Sequence, residues 1–183
     1  TFKNDFDNSQ MRYYEGPLTK NTELQIKAGE EYTYSFWYNE TQINASFIVF
    51  EAGNCTAIQF MESKDSRGVC LDRWGNDKGG YNSTYDEPMI LPIRPWMLAL
   101  HDGWTWNTTS YLSYGGNSAQ YIATTEYRVL RTENYKGRLA YVVLENASNS
   151  LPIYQWVDYE KRILLRVVGE GFEIELTDGI PSD

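Results

Sequence analysis

Two cysteines, one histidine and a scatter of carboxylates are the side chains of this sequence with the means to do chemistry. His101 is the only imidazole, and it stands beside Asp102, so the pair could form half of a catalytic dyad. A serine nucleophile would have to come from elsewhere, and no G-x-S-x-G pattern is present. His101 therefore reads as a turn residue next to Gly103. Paired carboxylates of the glycosidase kind are defined by their separation in space, not along the chain. The acidic residues here stand mostly in turns, where solvation accounts for them. The expectation is a protein with no catalytic residue, not an enzyme.

Metal and cofactor sites fare no better. Asp72-Arg73-Trp74-Gly75-Asn76-Asp77-Lys78-Gly79-Gly80 offers carboxylate and amide oxygens that could hold Ca²⁺. It lacks the alternating acidic order and the distal glutamate of a calcium loop, and it carries Arg73 and Lys78. It reads as a plain loop, with no metal and no cofactor expected. Cys55 and Cys70 lack the partners for a metal site. In an exported chain such a pair is most simply a disulfide between neighbouring strands. Closing a loop of about 15 residues stabilises a fold by roughly 3 kcal/mol in the chain-entropy model.

Export is suggested by a third chemistry, that of the asparagine amide. N-x-[ST] occurs at Asn39, Asn44, Asn54, Asn82, Asn107 and Asn146. With 13 asparagines and 26 serines and threonines in 183 residues, chance supplies about two such tripeptides. The six are candidate glycosylation sites. Asn82 and Asn107 lie near loop-like sequence and are the readiest to carry a glycan, whereas Asn44 falls inside a strand.

Composition narrows the partners. A net charge of −9 and a pI of about 4.7 argue against nucleic acid, which selects a basic stripe. They also argue against adsorption to an anionic membrane surface. No run of about 18 apolar residues is present, so the chain is not expected to span a membrane. It opens on TFKNDFDNSQ with no start methionine, which reads as a mature or trimmed product.

The elements that must position these residues are strands. Aromatics make up 15% of the chain, with 15 Tyr and 6 Trp, and such residues favour a pleated surface. Tyr32, Tyr34, Phe36 and Tyr38 alternate with polar residues, the period-2 mark of a half-buried strand. Leu24-Gln25-Ile26 reads as a short strand before the turn at 27–30. Apolar runs at 46–51 and 56–61 flank Ala52-Gly53-Asn54. Further strands are expected at about 119–131, 138–145, 151–157, 161–168 and 171–176, joined by ENYKG, ENASNS, DYEK and GEG. Close spacing and short turns indicate an antiparallel meander. PWMLAL at 95–100 could be one helical turn or a buried strand. The expectation is one mainly β domain over 1–183, a meander or curved half-barrel with little helix and a loop-rich insertion at about 72–118. Within it, 155–167 should form a hairpin turning at 158–161, with Trp156 largely buried on the sheet's concave or helix-covered face.

Candidate binding residues are the aromatics Trp74, Tyr81, Tyr85, Trp104, Trp106 and Trp156, which could present a surface to a ligand or could fill the core.

The last third resembles the LolA/RseB-like envelope superfamily. The residues that carry this are Tyr127-Arg128-Val129-Leu130, Tyr135-Lys136-Gly137-Arg138, Leu139-Ala140-Tyr141-Val142-Val143, Gln155-Trp156-Val157-Asp158 and Lys161-Arg162-Ile163-Leu164-Leu165. They cover about 50 of the 183 residues, with Gly137 permitting a tight turn and Asp158 starting the next. The resemblance implies an incomplete β-barrel wrapped around a lipid or partner peptide, and carriage or sensing in place of catalysis. Two roles follow for an extracellular or cell-surface protein. One is a module that binds an apolar ligand or a partner segment on a curved sheet. The other is a structural subunit of a filament or coat, self-assembling through strand pairing. A surface hydrolase is the third reading.

Overall fold

Alternation of inward apolar and outward polar side chains sets strands along most of the chain. The computed structural model describes residues 10–14, 18–61, 68–76, 78, 92–113 and 120–179, with the backbone alone for 10–14, 110–113 and 120–123. The strands are β1 (Gln10–Tyr14), β2 (Glu31–Tyr38), β3 (Thr41–Ala52), β4 (Cys55–Phe60), β5 (Gly68–Leu71), β6 (Thr105–Ser113), β7 (Gln120–Tyr135), β8 (Arg138–Ala147), β9 (Ile153–Asp158), β10 (Leu164–Gly169) and β11 (Phe172–Asp178). The one helix among the described residues is the 3-10 turn Pro95–Ala99.

All eleven strands join one antiparallel sheet in the order β1-β6-β7-β8-β9-β10-β11-β2-β3-β4-β5. It is two meanders, β2–β5 and β6–β11, joined where β11 pairs with β2. The sheet is open, with β1 and β5 at its edges. Laid flat, ten gaps between strands would span about 48 Å. Yet Val69 and Leu71 of β5 share one continuous core with Trp106 of β6 and with the 3-10 helix. The sheet therefore curls around that helix, helped by irregular register at Val129/Arg131, Leu164/Arg166 and Leu176/Asp178, because bulges strengthen twist.

Residues 92–104 fill the concave side. Pro95 opens the 3-10 helix, where its fixed φ and missing N–H cost nothing. Trp96, Met97, Leu98, Ala99 and Leu100 are all buried. The segment is tied by its carbonyls. Pro92 accepts from the Leu164 N–H at 2.7 Å, Leu98 from those of Asn21 and Thr22 at 3.0 and 3.2 Å, and Trp104 from that of Val129 at 2.9 Å. Leu100 accepts from the Arg162 guanidinium and the Asn21 amide, both at 3.1 Å. Gly75 sits against the segment in a left-handed conformation, φ +73°, and a Cβ there would lie 2.9 Å from Leu98 Cδ1.

The hairpin β9–β10 turns where expected. Asp158 Oδ1 accepts the N–H groups of Glu160 and Lys161 at 3.0 and 2.6 Å, and Arg138 grips the same carboxylate at 2.5 Å. Three local expectations are corrected. Leu24-Gln25-Ile26 is irregular, its Leu24 N–H bonding the Arg73 carbonyl. The chain expected to turn at Glu133 stays in β7 to Tyr135, and the turn tightens onto Lys136 and Gly137, both with positive φ. The stretch expected to be a loop-rich insertion, 72–118, holds strand β6 and the core helix.

Candidate functional site

Cross-strand pairing lines up side chains in lateral rows on the concave face. One row runs Val129, Val143, Gln155, Val167, Ile174, Phe36, Ile43 across β7 to β3. Beside it, Trp106 pairs with Tyr127, Tyr127 with Glu145 and Glu145 with Ile153. Further along, Gly169 pairs with Phe172 and Phe172 with Tyr38. The Phe172 ring lies over Gly169 so closely that a Cβ there would be 2.2 Å from it.

Both rows grade from buried to open. Val129, Val143, Trp106 and Tyr127 are buried under the core segment. Ile153, Phe36 and Phe172 are half-buried. At the far end Tyr38 and Ile43 are 64% and 63% exposed. The concave face thus leaves its core cover and ends as an apolar surface in water.

At the boundary stands a polar pair. Glu145 Oε2 accepts from the Gln155 amide at 2.5 Å. Burial pushes the Glu145 carboxyl above its usual range, against the pull of Arg94, Tyr127 and Gln155. The indole N–H groups of Trp96 and Trp106 are buried without a hydrogen-bond partner.

The opposite, convex face carries Trp156. It is half-buried there, its indole N–H donating to Glu133 at 2.7 Å, with the Arg166 guanidinium 5.0 Å from its ring. This corrects the expectation of a largely buried Trp156 on the concave face. Gln155 and Val157, its neighbours in sequence, take the inward positions.

The other candidate aromatics separate. Trp104 and Trp106, expected as possible binding residues, are buried in a run of rings with Trp96 and Tyr127 at centroid distances of 5.2–6.3 Å. They fill the core and present no surface, because the 92–104 segment folds them under the sheet. Trp74 is half-buried, with Arg73 5.2 Å over its ring. Tyr81 and Tyr85 lie outside the described residues. Cys55 and Cys70 are disulfide-bonded across β4 and β5, with Cα atoms 5.6 Å apart. Asn39, Asn44, Asn54, Asn107 and Asn146 are all exposed, Asn107 within β6 and not in a loop, while Asn82 lies outside the described residues.

Chemistry remains sparse. His101 is exposed, and its Nδ1 is 2.9 Å from the Asp102 carbonyl, not its carboxylate. Asp72 spends its oxygens locally, accepting from the Trp74 and Asn76 N–H groups at 2.8 and 2.9 Å. Burial raises its carboxyl, but the bonds from Asn76 and Trp74 outweigh this and hold it below its usual range. Among the described residues no three His, Cys, Asp or Glu side chains gather as metal ligands. Among those residues, too, no helix is long and apolar enough to cross a membrane.

Glu145 and Gln155 were open to sequence reading and were missed. Tyr141, Val143 and Glu145 share one phase of a strand, as do Ile153, Gln155 and Val157, so each polar residue interrupts an inward apolar set. Ile43, Phe172 and Tyr38 carried no such sign, because alternation does not say where a face loses its cover.

No family model matches the sequence, and no curated protein matches it. A similar solved structure is that of the hypothetical lipoprotein YmcC from Escherichia coli, at a TM-score of 0.39 and 15% identity, covering 85% of this chain and 91% of that one.

Proposed function

We propose that this is an exported, non-catalytic binding protein that holds an apolar ligand, or an apolar segment of a partner, on the open end of its concave sheet. The observation that carries the reading is the passage of both concave rows from buried Val129 and Trp106 out to Tyr38 and Ile43, 64% and 63% exposed. Apolar side chains gathered on one curved face and left in water favour an occupant. The resemblance of residues 127–165 to the LolA/RseB-like superfamily fits the same role. The Cys55–Cys70 disulfide supports export, since such bonds persist in oxidising compartments.

A neutral hydrophobic dye such as Nile red tests this, since it avoids repulsion by the acidic chain. The protein should bind it with blue-shifted emission, and Tyr38→Ser/Ile43→Ser should weaken binding about tenfold, the loss of some 1.4 kcal/mol. Stability should change little, because both side chains are exposed. Equal binding by the double variant sinks the reading.

The open sheet favours a second reading, a structural subunit that pairs through its edges. β1 and β5 are the outermost strands of the sheet among the described residues, with β5 met from outside only where the Lys78 N–H donates to the Cys70 carbonyl at 2.8 Å, and sheet edges recruit strands. Concentration-dependent sedimentation separates the two, since a monomer at all concentrations removes the second.

A further inference from the structure

We propose that this chain carries N-linked glycans at Asn39, Asn54, Asn107 and Asn146, all placed on the convex face or at hairpin ends, with the concave face left bare. The proposal shares with the binding reading only the export of the chain.

Placement is the first support. Asn39 occupies the two-residue turn between β2 and β3, with φ +45°. Asn54 follows Gly53 in the turn between β3 and β4. Asn107 and Asn146 lie within β6 and β8 and are exposed. Successive strand residues point to opposite faces. Asn107 therefore points away from concave Trp106, and Asn146 away from concave Glu145. Asn107 and Asn146 both neighbour Glu126 in register, which puts them about 10 Å apart on the convex side.

Thr109, which completes the Asn107 tripeptide, stands two residues on in β6 and so on the same face as its asparagine, while Ser148 follows Asn146 in the turn beyond β8, its hydroxyl accepting the Thr124 N–H at 3.2 Å. Asn44 is convex and exposed as well, but its groups are engaged. Its Oδ1 accepts from Ser35 at 2.8 Å, with the Gln42 amide nitrogen 3.5 Å from the same oxygen. It is left out for that reason.

An asparagine's affinity for water explains its exposure but not the excess of tripeptides over chance. The disulfide is an independent sign of the compartment in which glycan transfer takes place. The reaction is a substitution. The asparagine Nδ2 bonds to the anomeric carbon of an oligosaccharide carried on a polyprenyl phosphate or pyrophosphate. The bond from that carbon to the phosphate oxygen breaks, the lipid phosphate leaves with the electron pair, and the amide proton passes to a base on the transferase. No oxidant or reductant takes part.

Glycans at Asn107 and Asn146 would coat the convex side and obstruct stacking of copies through it, while one at Asn39, in the turn after Tyr38, would stand at the rim of the apolar end without lying on its concave face. The test is the intact mass and peptide map of the protein purified from its natural cells. The expected result is glycan mass on the peptides carrying Asn107 and Asn146 and on at least one of Asn39 and Asn54. Asn107→Gln/Asn146→Gln, expressed in the same cells, should lose two glycans and keep its melting temperature. An intact mass equal to the disulfide-bonded polypeptide overturns the proposal. So does modification confined to Asn44 or Asn82. Neither result bears on dye binding, so the two readings fail separately.

Discussion

Glu145 is a carboxyl whose position works against the fold. It interrupts the inward set of β8 and relies on Gln155 at 2.5 Å, Tyr127 and Arg94 for compensation. Burial nonetheless raises its carboxyl. A carboxyl raised in the folded state contributes its full stability below the unfolded value, near 4.3, and loses that contribution as pH rises through the folded value. At neutral pH folding must then bury a charge. Glu145→Gln keeps an acceptor for Gln155 and removes the charge. It should melt higher than the parent at pH 7 and equal to it at pH 4. Thermal melts at the two pH values check this, and a variant less stable at pH 7 would mean that the electrostatic pull of Arg94 outweighs desolvation. Asp158 is a carboxylate whose partners are close at hand, with Arg138 at 2.5 Å and two backbone N–H groups of its own turn on its oxygens. An aspartate that bonds the backbone two and three residues on is a local turn signal, so that turn was legible in the sequence.

At the scale of elements, hairpins with turn chemistry at their tips were legible and faces were not. Period-2 alternation showed that 155–157 was a strand, but alternation has two phases. Which one lies inside depends on register with β8 and β10, where a bulge between Leu164 and Arg166 intervenes. Trp156 pairs with Val142 in the unbroken β8–β9 register, out of phase with the concave pair Val143 and Gln155, and so lies on the outer phase. Residues 92–104 have no period at all, so neither their role as the filling of the curved sheet nor the burial of Trp104 and Trp106 could be read. The cysteines were legible because a short loop and an even count leave one pairing. Their bond ties edge strand β5, only Gly68–Leu71, to β4. Cys55→Ser/Cys70→Ser should lose about 3 kcal/mol, a fall in melting temperature of roughly 6–12 °C for a chain of this length. The same melting temperature with and without reductant in the parent would contradict it.

At the scale of the molecule, one segment holds two meanders to a single core. Leu98 is fully buried. Its carbonyl accepts from Asn21 and Thr22 ahead of β2, and its side chain lies against Gly75 beyond β5. Its neighbours reach the other half, since Leu100 bonds Arg162 before β10 and Trp96 packs 5.2 Å from Tyr127 of β7. An open sheet has no closing strand pair to hold its curvature, so the filling must do so. Leu98→Ala removes side-chain volume where neither meander can collapse without losing the other, and should cost about 2–5 kcal/mol. Ile43→Ala, at the exposed end of the same concave face, should stay within about 0.5 kcal/mol of the parent. Urea unfolding followed by tryptophan fluorescence reports both, because Trp96, Trp104 and Trp106 lie in the segment or against it. One transition with a shifted midpoint for Leu98→Ala is the expected outcome. A cost under about 1 kcal/mol would mean that residues 92–104 rest on the sheet as a cover, and that the curvature is held by the strands alone.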